Sequence, residues 1–378
     1  NILDLIYLFK FKKNYKRMVY KSSIDKTIEK KLINEDSNFK LLYNFDKINL
    51  DINFDPKIRN KIKFQSHKNE FEECLNKLII NLIPTIYLEG FKIMKKRLKI
   101  LNTFKVEKIF TSALGIRSDD SFMFWTAFQK ENNRSNLIIY QHGGGYGISK
   151  IFFNQQHELS VCDKFINWGW ESDNKKIVNL GFLKIYNKKY KYNKNGHIFI
   201  PTLGLPRYSY TLHSIPQGPQ VENSINDLFK FLSNINENIF NNLIIKTKGD
   251  NRGWFWKERI QDKFPEIKID IKSNYFDQLF NSSLCICTYN QTTMLESMYH
   301  NIPTIIFYKK EYWKNNYENE DDFKMLIDAE ILFYNPIEAA KKINKIHKNI
   351  DIWWFSEKTQ NIKNIFCQKY AKKINKPF

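Results

Sequence analysis

Residues 136–147 read Asn-Leu-Ile-Ile-Tyr-Gln-His-Gly-Gly-Gly-Tyr-Gly, and they hold the residue types best suited to chemistry. A neutral imidazole at His142 can take a proton from a hydroxyl nucleophile, while the amides of Gly143, Gly144 and Gly145 can hold an anion. The three glycines also admit positive φ and let another group approach the backbone closely. The chain has only 13 glycines in 378 residues, so a triplet after a histidine is poorly explained as an ordinary turn. Two further groups could bind charge. Lys246-Thr247-Lys248-Gly249-Asp250 with Arg252 puts three cations beside a glycine, suited to a phosphate or carboxylate. Thr288-Tyr289-Asn290-Gln291-Thr292-Thr293 offers hydroxyls next to the first-turn amides of a helix, an anion site that Thr292 or Thr293 can cap. Glu296, one turn beyond Thr292, can accept hydrogen bonds from a ribose or sugar hydroxyl.

The elements that must position these groups are strands that end where the loops begin. Leu137 to Tyr140 is a short apolar, β-branched run of the kind buried on both faces of a parallel sheet. In an open α/β sheet ligands sit just beyond the carboxyl ends of the strands, which is where His142 falls. From Val106 the pattern alternates strand and helix. Lys108–Phe110 is a strand ending at Thr111-Ser112, and a helix begins near Asp119 or Asp120 after a polar loop. The Leu137 strand follows, then a helix with His157 and Glu158, then the strand Lys164–Trp168. After a linker-like segment from Tyr186 to Asn195 the rhythm resumes. Strands are expected at His197–Pro201, Leu243–Lys246, Ile267–Ile271, Leu284–Cys287 and Thr304–Phe307. Helices are expected around Ile225–Leu232, at Tyr275–Phe280 and after Thr292. The last segment, Asp351–Tyr370, reads as one long aromatic helix that could cross back over the first domain. These expectations amount to two domains, residues 1–187 and 188–378.

Composition bounds the partners. Sixty Lys and Arg against forty Asp and Glu give a net charge of +20, a sign that suits nucleotide phosphates, an acidic membrane or nucleic acid. The lysines are spread among Asn and Ile throughout, which weakens the case for a dedicated nucleic-acid surface. Within residues 1–35, Ile2, Leu3, Leu5, Ile6, Leu8 and Phe9 precede Lys10, Lys12, Lys13, Lys16 and Arg17. Phe91–Ile100 mixes apolar residues with Lys92, Lys95, Lys96, Arg97 and Lys99. Both read as basic amphipathic helices able to lie on an anionic bilayer. Five cysteines, an odd number with a single C-x-C pair, fit reduced thiols in a cytoplasmic protein better than disulfides or zinc. No run reaches 18 uninterrupted apolar residues, and no signal peptide is evident. The G-x-G-x-x-G, P-loop and G-x-S-x-G patterns do not occur where a dinucleotide oxidoreductase, a P-loop enzyme or an α/β-hydrolase would need them. Asp119-Asp120 fits a helix start better than a metal site.

The motifs together resemble a known family. Lys108-Ile-Phe-Thr-Ser with Asp120, Phe122, Phe124 and Trp125, the His-Gly-Gly-Gly-Tyr-Gly string, His157-Glu158 and Trp168-Gly-Trp170 are similar to a transferase family of bacterial surface-carbohydrate biosynthesis clusters. So are Thr288-Tyr-Asn-Gln-Thr-Thr-Met-Leu-Glu296, Asn301-Ile-Pro-Thr304, Tyr312-Trp313, Pro336 with Ala339-Ala340, and Asp351-Ile-Trp-Trp354. The likeness spans about residues 80–372. It implies an α/β, GT-B-like fold: two Rossmann-like domains with parallel sheets facing a central cleft, the C-terminal one holding the donor. It implies a glycosyltransferase that moves a sugar from a nucleotide-sugar donor, with a CMP-linked nonulosonic or Kdo-type sugar as one class, to a glycan or lipid-linked acceptor of a surface polysaccharide. No metal or other cofactor is expected. Peripheral contact with the cytoplasmic face of the inner membrane is the implied setting, and no nucleic acid is expected as a partner. His142 and Glu158 would be the catalytic pair. Gly143, Gly144, Gly145, Lys246, Lys248, Asn290, Thr292, Thr293 and Glu296 would bind the donor and its phosphate. Ser112, Arg117, Gln141, Tyr146 and Arg207 would line the acceptor side or the cleft. Relatives carry His-Pro where this chain has Lys246-Thr247-Lys248-Gly249, which speaks against a cytidine donor. A polyol-phosphate transferase using a CDP-alcohol on the same scaffold is the nearest rival. A non-catalytic nucleotide-, carbohydrate- or nucleic-acid-binding protein is the other.

Overall fold

A computed structural model describes residues 16–36, 38–42, 51–64, 68–101, 105–117, 120–185, 189–209, 213–249 and 252–374. The expectations for Ile2 to Lys13, for Asp119, for the start of the linker at Tyr186 and for Asp250 therefore lie outside the described residues. Twelve strands are described: β1 (Arg17–Tyr20), β2 (Phe39–Leu42), β3 (Lys108–Thr111), β4 (Asn136–Tyr140), β5 (Lys164–Asn167), β6 (Ile177–Asn179), β7 (His197–Pro201), β8 (Leu243–Lys246), β9 (Lys268–Asp270), β10 (Ser282–Cys287), β11 (Thr304–Phe307) and β12 (Leu332–Phe333). Their sheet orders are β2-β1-β3-β4-β5-β6 and β12-β11-β10-β7-β8-β9. By compactness the chain divides into unit 1, Asn1–Ser23 with Glu29–Tyr140, and unit 2, Ile24–Ile28 with Gln141–Phe378.

In unit 1, β1 pairs in parallel with β2 and β3, and β3 with β4. This overturns one expectation: Arg17 ends no basic helix but opens a buried strand, whose Met18, Val19 and Tyr20 are almost fully covered. The Phe91–Leu101 helix does form, and Met94 and Leu98 are its buried side. The polar loop expected after β3 contains a short helix, Ala113–Ile116, before the Asp120–Asn133 helix. Arg59 is 1% exposed and pairs with Glu89 at 2.6 Å while donating to the carbonyls of Ile80 and Ile83. One guanidinium thus satisfies the end of the Glu70–Leu82 helix.

In unit 2 the second sheet is parallel along its length. Its strands are apolar on both faces, as a sheet covered by helices on two sides requires. Ile198, Ile200, Ile245, Leu284, Ile286 and Ile305 join Val221, Ile225 and Leu228 of the Gln220–Leu232 helix and Ala339 and Ile343 of the Pro336–Ile346 helix in one core. Strand β7 leads outward to β8 and β9 on one side, while β10 leads to β11 and β12 on the other. The carboxyl ends of β7 and β10 are thus the switch point, where doubly wound sheets open a crevice. The final segment is not one helix. Ile350–Trp354 stops at Phe355, and Ser356 caps a new helix, Glu357–Tyr370, by accepting from the Thr359 amide. The residues after it return to the unit's own Trp168–Phe182 segment, where the Lys372 amide donates to the Trp168 carbonyl and the Phe182 amide to that of Lys372.

Candidate active site

Strand β4 ends at Tyr140 and the loop that follows is built from glycines for closeness, not for handedness. Gly143, Gly144 and Gly145 keep φ out of the left-handed region, and only Gly147 (φ 68°) enters it. A side chain on Gly144 would lie 2.6 Å from the backbone of both Gln291 and Thr292. The loop is pressed onto the start of the Thr292–Tyr299 helix, and the Gly144 amide donates to the Thr292 hydroxyl at 2.9 Å. The hydroxyl expected to cap its own helix serves the glycine loop instead. Gln291 is the residue before the first turn, without a side-chain cap. Thr293 is buried within the helix and hydrogen-bonded to the Tyr289 hydroxyl, and burial pushes the Tyr289 phenol up.

Gln141 braces the loop from beneath. It is fully buried, donates to the Gly143 carbonyl at 2.8 Å, and accepts from the Trp168 amide and the Trp170 indole. The far end of the loop is held by Gln155, which accepts from the Gly147 amide, and by Asn319, which donates to the Gly147 carbonyl. His142 is half-buried at the head of this brace. Its Nδ1 lies 2.7 Å from the Tyr146 hydroxyl, and that hydroxyl donates to Oε1 of the fully buried Glu158 at 2.5 Å.

The family match fits this geometry: the sequence matches the LIC12162 family transferase model over residues 4–378. The chain belongs to the LIC12162 transferase family. No curated protein matched it. Among solved structures it is similar to a UDP-N-acetylglucosamine 2-epimerase, at 8% identity and a TM-score of 0.50, covering 95% of this chain and 92% of that one. It is also similar to WaaG, a glycosyltransferase involved in lipopolysaccharide biosynthesis, at 9% identity and a TM-score of 0.32, covering 90% and 84%. This chain has a GT-B-like fold of two Rossmann-like, parallel-sheet halves, and it is an enzyme of the transferase class.

Within unit 2 the loop brings together His142, Gly143, Gly144, Gly145, Tyr146, Glu158, Gln141 and Thr292. The other expected donor residues are more dispersed. Asn290 is buried and donates to Asn315 at 2.7 Å. Glu296 is buried too, and its Oε1 pairs with Lys184 at 2.7 Å, so its carboxylate already has a cation. Lys246 is tied to Asp270 and to the Ser273 carbonyl. Burial pushes the Asp270 carboxyl up, and the Ser273 and Lys246 hydrogen bonds outweigh this and hold it below its ordinary value. Lys248 is exposed, with its alkyl chain lying along Gly204. Arg207 is exposed over the Trp254 ring. In unit 1, Ser112 is buried and occupied: it donates to the Lys21 carbonyl, lies 2.8 Å from the Ser23 hydroxyl and caps the Ala113–Ile116 helix. Arg117 ends that helix and is exposed.

Sequence reasoning missed Lys184, Gln155 and Asn319. The first is one of sixty basic residues. The other two are amides whose partners lie 8 and 172 positions away, and no local pattern marks them.

Proposed function

We propose that this transferase is a glycosyltransferase that moves a sugar from a nucleotide-sugar donor to a glycan or lipid-linked acceptor of a bacterial surface polysaccharide. The observation that carries the reading is the Gly144–Thr292 hydrogen bond. It fastens the histidine loop to the helix that starts at the carboxyl end of β10, beside the switch point of the second sheet. A nucleotide phosphate beside this contact would lie near the positive end of the helix dipole. His142, a few residues from the tethered glycine, would take the proton of the acceptor hydroxyl as it attacks the anomeric carbon.

The remaining roles follow from charge and exposure. Lys248, beside Gly204 of the loop after β7, and Arg207, beside Gly253, are exposed and would offset the charge of the departing nucleotide without a divalent ion. Glu296 would act on the donor through Lys184, whose side chain is 29% exposed. Residues 1–187 would serve the acceptor and 188–378 the donor. Phe91 and Ile93 are exposed beside the exposed Lys92, Lys95 and Lys96. That surface suits an anionic membrane, and so a lipid-linked acceptor at the cytoplasmic face.

The test is thermal stabilisation by CMP, CDP, UDP and GDP and their sugar conjugates. Stabilisation grows with ligand concentration over its dissociation constant. One nucleotide class should raise the midpoint, and its sugar conjugate should be turned over. Indifference to every nucleotide would remove the donor site.

A further inference from the structure

We propose that Tyr146 and Glu158 are positioning residues that hold His142 as its Nδ1–H tautomer, so that Nε2 is the nitrogen that receives the acceptor's proton. The inference rests on the reading of His142 as the base. Three facts carry it: Tyr146 Oη stands 2.7 Å from His142 Nδ1, it stands 2.5 Å from Glu158 Oε1, and both Tyr146 and Glu158 are buried.

With Glu158 taken as ionised, and the Tyr146 hydroxyl as the donor in the bond between them, the proton count sets the direction. A phenol has one proton, and an ionised carboxylate can only accept. The Tyr146 proton therefore goes to Glu158. The short contact on the other side then requires Nδ1–H of His142 to donate to the phenol oxygen. A neutral imidazole carries one proton, so its lone pair is on Nε2. When the acceptor oxygen bonds to the anomeric carbon, its proton passes to Nε2. The bond from that carbon to the donor phosphate breaks, and its electron pair leaves with the nucleotide. The imidazolium that forms is balanced by the Glu158 charge, felt through the phenol. Neither Tyr146 nor Glu158 changes its proton.

The surroundings keep this chain in register. The Tyr146 ring is 1% exposed, stacks on Phe165 with 28° between the planes and meets Phe152 and His142 edge-on. Glu158 stands on the Phe153–Val161 helix, and the same helix holds the loop through Gln155 and the Gly147 amide. The phenol and carboxylate are thus tied to each other twice, once directly and once through backbone.

The tautomer can be read without any substrate. The full chain, labelled with ¹⁵N-histidine, is measured by long-range proton–nitrogen correlation at a pH where the rings are neutral, with His142→Gln to assign the signal. The expected pattern is a protonated Nδ1 and an unprotonated Nε2. Tyr146→Phe keeps the ring but removes the acceptor, so the signal should move toward the Nε2–H form. Turnover should then fall about tenfold to a hundredfold with KM changed less than about twofold. Glu158→Gln still accepts the phenol proton, so it should keep the tautomer and lose turnover. A wild-type Nε2–H pattern would mean that the chain runs the other way, from a protonated Glu158, and would overturn the proposal. So would a tautomer that ignores Tyr146→Phe. The wild-type spectrum decides alone if that variant fails to fold. The spectrum judges the positioning chain, and turnover of His142→Ala judges the base, so the two can fail separately.

Discussion

Glu158 and Glu296 are both buried in unit 2, on the helices that follow the histidine loop and β10, yet one ends on a neutral hydroxyl and the other on an ammonium. The difference is one of purpose. A carboxylate facing a phenol keeps its charge available to whatever the phenol touches, here an imidazole that gains and loses a proton. A carboxylate facing a lysine has its charge cancelled on the spot, and what remains is shape: Lys184, 112 residues away in sequence, is fixed against the Thr292–Tyr299 helix. Substitutions on the first should therefore be read in rate, and those on the second in stability and in donor binding.

The largest effect expected is on the imidazole. His142→Ala should lower turnover by about a hundredfold to ten-thousandfold, the range spanned by loss of a general base, with the unfolding midpoint nearly unchanged because the ring is only half-buried. Full transfer by this variant would leave the Glu158 chain with nothing to serve. On the other side of the comparison, Lys184→Met strips the cation from a carboxylate whose side chain is only 3% exposed. It should cost about 3 kcal/mol in urea unfolding. Glu296→Gln is milder, about 1 kcal/mol, since Lys184 is 29% exposed and can turn outward. Equal losses from the two variants would show that the pair is not held as buried. Between them falls Gly144→Ala, whose methyl would overlap the backbone of Gln291 and Thr292. A loss of about 1–3 kcal/mol is expected from such overpacking, while Gly143→Ala, which meets only the Thr292 hydroxyl at 3.5 Å, should be tolerated. Calorimetry on the pair checks this.

The same contrast marks what could be read in the sequence. Most strands from β3 onward announced themselves through a short apolar run, as in Leu137–Tyr140, but β6 and β12, only three and two residues long, did not. Strand β1 did not: four residues, opened by Arg17 and preceded by lysines, look like the tail of a basic helix until β2 and β3 are seen on either side. The break at Phe355-Ser356 was lost in an aromatic run that hides a serine cap. The glycine triplet signalled a close approach but not its partner, since the contact spans 148 positions. Tyr146 was visible as part of the motif, and Glu158 as a helix residue, but their meeting depends on a turn of loop between them. Lys184 carried no mark at all among the other cations.

The smallest effect expected separates a third buried carboxylate from these two, and it is legible in pH. Glu89 in unit 1 is 5% exposed and takes two hydrogen bonds from the Arg59 guanidinium. Those bonds, outweighing the push of burial, hold its carboxyl at about 2, below the ordinary value of about 4.3. A depressed carboxyl stabilises the fold wherever the unfolded chain would also be ionised, so its contribution is complete above about pH 5. It fades as pH falls toward 2, where the folded state must take up the proton too. The unfolding midpoint of wild type should exceed that of Glu89→Gln at pH 6, and the gap should narrow steadily below pH 5. Because the comparison is between two proteins at each pH, acid effects common to both cancel. A gap that stayed constant down to pH 2.5 would show that Arg59 stabilises the end of the Glu70–Leu82 helix through its carbonyl contacts alone, and that the charge of Glu89 contributes nothing.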